Sequence, residues 1–144
     1  MRRTGLLFGI LTLLAGAVTS VGAFGVPSAN ATAFSYIVIC KDTPSPKLVT
    51  GSFTFSISGG GNGPTSVTVP VGQCSAPKQI PWGGGTNATI TETAVGQIYV
   101  AGVSTIPSDR LLSHNPLSWT AVVSTVPSDT TVVHFSNNRV AGPR

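Results

Sequence analysis

From residue 34 onward, apolar residues alternate with Thr, Ser and other polar residues at a period of two, the signature of strands with one buried face. Segment 34–41 (FSYIVICK) puts Ile37 and Ile39 on a common face, with Lys41 in the same phase. Segment 51–58 sets Phe53, Phe55 and Ile57 against Thr54 and Ser56. Val67, Val69 and Val71 alternate with Thr68 and Pro70. Pro70 has no N–H to give a ladder, which assigns this stretch to a sheet edge or a strand end. Segment 87–93 carries Ala88, Ile90 and Glu92 on one face and Thr89, Thr91 and Thr93 on the other. Segments 97–106 and 117–126 are expected as the longest strands, the second with Trp119 in phase with Ala121 and Val123 and therefore in the core. Segment 130–136 closes the set.

Glycine and proline clusters at 58–64 (SGGGNGP) and 81–85 (PWGGG) fall between these runs, as do two Pro-Ser-Asp turns. Those turns sit in an echo, VSTIPSD at 103–109 and VSTVPSD at 123–129. With only two copies, the echo reads as neighbouring strands sharing one turn chemistry rather than as a repeat array. Seven or eight short strands predict an all-β protein, an antiparallel β-sandwich of prealbumin-like or immunoglobulin-like type over residues 34–144.

Residues 1–33 have another pattern. Met1-Arg2-Arg3 precedes an uncharged apolar stretch, 6–18, followed by Pro27 and two overlapping A-x-A sites ending at Ala31 and Ala33. That order predicts a secretory signal peptide cleaved after Ala33. A membrane anchor of about 20 apolar residues would have to run on through 22–26. Thr4-Gly5 is a poor flank for a twin-arginine signal, which favours the general secretory route. Cleavage leaves six basic residues against four acidic ones, reducing the net charge from +4 to +2. So small an excess argues against a nucleic-acid partner. The expected location is secreted and extracellular, with no membrane anchor after cleavage.

Charged residues are 8% of the chain, against about 25% in ordinary soluble domains. This leaves little with which to build catalysis. No G-x-S-x-G elbow occurs, and neither His114 nor His134 has an acidic residue at a telling spacing. The glycine runs lack a following Lys-Ser/Thr, so they are loops and not phosphate cradles. Cys40 and Cys74 are the only cysteines; lacking C-x-x-C or H-x-x-x-H spacing, they predict a structural disulfide, no metal site and no cofactor. The chain is not expected to be an enzyme.

One constellation stands out. Lys41, Glu92 and Asn137 each continue the apolar face of a strand, after Ile37 and Ile39, after Ala88 and Ile90, and after Val133 and Phe135. Brought together in an apolar core, a lysine loses and a glutamic acid gains affinity for its proton. A neutral amine could then attack the asparagine carboxamide beside the acid, giving a Lys–Asn isopeptide and ammonia. The bland alternative leaves Lys41 and Asn137 at strand ends in solvent, with Glu92 among hydroxyls.

The order of Lys41-Asp42 ending a first strand, then Ile90-Thr91-Glu92-Thr93-Ala94 before Gly96-Gln97-Ile98-Tyr99, then Val133-His134-Phe135-Ser136-Asn137, resembles the collagen-adhesin B-type repeat domains. These belong to the prealbumin-like sandwiches of bacterial surface proteins. The likeness extends to single-domain secreted actinobacterial versions, through Cys40-Lys41, Val69-Pro70-Val71-Gly72-Gln73-Cys74 and Phe135-Ser136-Asn137-Asn138-Arg139. It implies a structural or adhesive module, with extracellular matrix, cell wall or another surface protein as partner. In many relatives it also implies a Lys–Asn isopeptide assisted by an acidic residue. The family's usual Ala-Pro is Ala94-Val95 here, and the tyrosine falls two residues late.

Two rival functions remain open. Val71-Gly72-Gln73-Cys74 is similar to a tetrapeptide of neocarzinostatin-type chromophore-binding apoproteins, which points to a small ligand. Trp82, beside Gly83-Gly84-Gly85, is a candidate ring platform for carbohydrate, or else a loop residue covering one end of the sandwich.

Overall fold

The computed structural model describes residues 33–42, 49–81 and 87–140. The signal peptide predicted over 1–33, except its last residue, and the candidate platform Trp82 lie outside the described residues. Among the described residues nine strands run in chain order: β1 (Phe34–Lys41), β2 (Ser52–Gly59), β3 (Asn62–Pro70), β4 (Lys78–Pro81), β5 (Asn87–Glu92), β6 (Ile98–Ile106), β7 (Leu111–Asn115), β8 (Thr120–Ser124) and β9 (Thr130–Arg139). A short 3-10 turn, Ser108–Arg110, is the sole helical element among the described residues. One sheet has the order β4-β1-β9-β6, the other β3-β2-β5-β8-β7.

The period-two faces meet between the sheets. Ile37 and Ile39 of β1, Val133 and Phe135 of β9, and Val100 of β6 line one inner face; Phe53, Phe55, Ile57, Ala88, Ile90, Ala121 and Val123 line the other. Phe55 and Phe135 meet across the gap with ring centroids 5.0 Å apart. In β6 the register shifts between Val100 and Gly102, so Val100 opposes Asn137 and Val103 opposes Phe135. This bulge restores the inward phase that an unbroken alternation would have lost. Val69 is buried within β3, which is an edge strand ending at Pro70.

Five expectations need correction. The sandwich is not wholly antiparallel: β1 pairs β9 in parallel, with Tyr36 opposite Thr130 and Lys41 opposite Phe135. Nine strands replace the predicted seven or eight, because β4 and β7 carry too little apolar periodicity to register. Ile80 is the one buried residue of β4, and four of the five β7 residues are exposed. The strand expected over 117–126 is shorter, Thr120–Ser124. Asn115 Oδ1 accepts from the Leu117 and Ser118 amides at 2.9 and 3.3 Å, and Trp119 adopts φ 59°, so 116–119 is a turn. Trp119 is only half-buried, packed on the core's margin.

The echoed segments belong to different sheets and are not neighbours. Thr105 and Thr125 are buried at the same place in each, after which the first copy enters the 3-10 turn and the second a turn with Ser128 at φ 61°. Arg110 Nη2 reaches Asp129 Oδ2 at 2.7 Å, joining the two turns.

Candidate functional site

The parallel β1–β9 pair builds the site. Lys41 lies opposite Phe135, and Asn137 is two residues further along β9, on the same inward face. Glu92 ends β5 in the facing sheet, opposite Phe55 of β2. Lysine and asparagine therefore come from one sheet and the acid from the other. All three are sealed from water, at 1%, 1% and 0% exposure for Lys41, Glu92 and Asn137.

Lys41 Nζ donates to Glu92 Oε2 at 3.2 Å and lies 4.5 Å from the centre of the Phe53 ring. Asn137 Nδ2 donates to Glu92 Oε1. Asn137 Oδ1 is buried with no hydrogen-bond partner, an expensive state for a carbonyl. Burial pushes the Lys41 pKa down, and the Glu92 charge only partly opposes this. Burial likewise pushes Glu92 up, against Lys41 and the Asn137 hydrogen bond. Both shifts favour the neutral pair, an unprotonated amine beside a protonated acid. The carboxyl holds the amine and the carboxamide nitrogen on its two oxygens, the arrangement needed to pass a proton from nucleophile to leaving group.

Outside β1 is a second cluster, of which the sequence predicted the disulfide but not its neighbours. Cys40, one residue from Lys41 and on the opposite face, is bonded to Cys74. Cys40 also lies opposite His134 on β9, whose Nδ1 is 2.9 Å from Asp42 Oδ1. No acidic residue stands at a telling spacing from His134 in the sequence; parallel pairing brings in Asp42 from the other end of the sequence. Both residues border a cleft of about 340 Å³ that also touches Cys40, Lys41, Gly72, Gln73 and Cys74. His114 is exposed on β7, opposite Ala121 and remote from this pair in the sheet order. Among the described residues no group of three or more His, Cys, Asp or Glu side chains could hold a metal ion. A further cleft of about 320 Å³ lies by Val95, Gly96, Gln97, Ile98 and Arg139.

Compared with protein-family models, curated proteins and solved structures, the chain matches none of them.

Proposed function

We propose that the protein is a secreted, non-catalytic structural or adhesive module whose first and last strands are joined by a Lys41–Asn137 isopeptide bond. The observation that carries this reading is the sealed Lys41–Glu92–Asn137 triad, with one carboxyl bonded to both the amine and the carboxamide nitrogen. The Lys41 amine attacks the Asn137 side-chain carbonyl carbon, and Glu92 relays the proton that the amine gives up. The C–Nδ2 bond breaks, Nδ2 leaves as ammonia, and an amide joins Nζ to the Asn137 carbonyl. The step is redox-neutral, needs no cofactor and turns over once. The resemblance to collagen-adhesin B-type domains supports it, as does the burial of the triad between two facing β-sheets. The natural partner would be extracellular matrix, cell wall or another surface protein.

Intact mass of the disulfide-reduced protein tests the bond. The expected result is a deficit of one ammonia, absent in Lys41→Ala and Asn137→Ala. In Glu92→Gln, loss of the proton relay should slow ammonia release by about 10²–10⁴-fold. A wild-type protein of unshifted mass overturns the reading.

A second reading, small-ligand or carbohydrate binding, is favoured by the cleft beside the disulfide. Its volume reaches the lower end of ligand sites, roughly 300–1,000 Å³, and its lining of Asp42, His134, Gly72 and Gln73 suits a polar ligand. Glycan-induced quenching of tryptophan fluorescence, lost in Trp82→Ala, would support the ring platform.

A further inference from the structure

Cys40 and Lys41 are consecutive residues on opposite faces of β1, and a single segment covers the strand where they lie. Along 34–37, β1 pairs with β4. Beyond Ile37 that edge is taken over by residues 72–75. Lys41 N donates to Gln73 O at 2.9 Å, Gly72 N to Lys41 O at 2.7 Å, and Ser75 N to Ile39 O at 2.8 Å. Ile39 N also donates to Ser75 Oγ at 3.1 Å.

Val71 packs on the core's margin at the entrance to this cover and donates to Gly51 O at 2.9 Å, but within 72–75 nothing apolar anchors it. Gly72, Gln73 and Cys74 are all exposed, and Ser75 is half-buried. Four edge hydrogen bonds in contact with water are each worth only about 1 kcal/mol. The Cys40–Cys74 bond is the attachment that holds the cover shut. The cleft on the outer face is bordered by Lys41, Gly72 and Gln73, while the lysine side chain itself is sealed, so lifting the segment opens the lysine end of β1 to water.

We infer that the disulfide gates the crosslink: Cys40–Cys74 forms first, pins residues 72–75 over β1, and only then does Lys41 couple to Asn137. This rests on the isopeptide reading above. The oxidant is an external disulfide, small-molecule or protein. It takes two electrons and two protons from the two thiols and is released as two thiols. The amide step then follows with loss of ammonia and no further redox change. The ordering withholds the permanent bond while the chain is in a reducing environment and allows it on transfer to an oxidising one.

The test uses the full chain, made by cell-free translation under dithiothreitol and divided into two arms. One stays reduced; the other receives oxidised glutathione. Thiols are alkylated at intervals and intact masses recorded, which separates four species by thiol content and by ammonia loss. A wetted lysine returns toward a pKa of about 10.4, leaving roughly one amine in a thousand unprotonated near neutral pH, so the reduced arm should lose ammonia up to about a thousandfold more slowly. The oxidised, uncrosslinked species should appear first in the other arm, and Cys74→Ser should behave like the reduced arm. Equal rates in the two arms, or a reduced and crosslinked species leading, overturn the gate while leaving the crosslink standing. Amide exchange of the reduced arm supplies the second readout. Protected β2 and β5 amides are expected; unprotected ones overturn a local gate, because the delay then belongs to folding. If neither arm loses ammonia, the crosslink reading falls and takes the gate with it.

Discussion

Lys41 and Glu92 bind one proton between them in either of two ways, and this fixes how the uncrosslinked protein responds to pH. Unfolded near neutral pH, the lysine is protonated and the glutamate ionised. Folded, burial lowers the lysine pKa and raises that of the acid. These shifts favour passing the proton from the amine to the acid, and on either group the total does not change. Stability should therefore be flat between about pH 5 and pH 10, the region between the ordinary values of the two groups. Below it the unfolded glutamate takes up a proton that the folded pair has no need of, so acid destabilises. Above it the unfolded lysine gives up its proton while the folded acid keeps one, so base destabilises too. Denaturant titrations of Asn137→Ala across this range, referenced to the same variant carrying Lys41→Met and Glu92→Leu, should show a plateau with two falling flanks. A continuous slope across the plateau would mean that the folded pair holds two protons or none.

The β2–β3 hairpin shows how much one element depends on its turn. Gly59 opposes Asn62, so Gly60 and Gly61 form a two-residue loop, both at positive φ (66° and 83°). This is the geometry that twisted hairpins favour. A Cβ on Gly60 would lie 1.8 Å from the Pro81 carbonyl oxygen of β4, in the other sheet, whereas one on Gly61 meets nothing. Gly61→Ala should cost about 1–2 kcal/mol for the left-handed backbone, and Gly60→Ala about 3 kcal/mol. Thermal unfolding of the two variants checks the order; equal losses would mean that the hairpin tip can move away from β4. The turn was legible in the sequence as a glycine cluster, but its approach to Pro81 was not. Strand faces could be read for the same local reason, since period two alone sets Ile37, Ile39 and Lys41 inward. Strand neighbours could not. The parallel β1–β9 pairing, the His134–Asp42 contact and the β6 bulge depend on contacts between distant segments. β7 escaped notice because an exposed edge strand such as Leu111–Asn115 has no buried face to impose a period.

At the scale of the molecule, the parallel pairing decides where a pull on the chain is felt. β1 begins at Phe34, and β9, running the same way beside it, ends at Arg139. Tension applied through these two ends slides the strands past each other, loading their hydrogen bonds together instead of one at a time. With Lys41 joined to Asn137, the load passes from the start of β1 across the amide and out through the last residues of β9. Everything between lies off the path and carries none of it. Single-molecule pulling from both ends should find the wild-type protein barely extensible at forces that draw Asn137→Ala out to nearly its full contour length. A wild-type trace with that same long extension would show the bond missing. A sandwich stapled at this one corner is a link that can be pulled on without being unfolded.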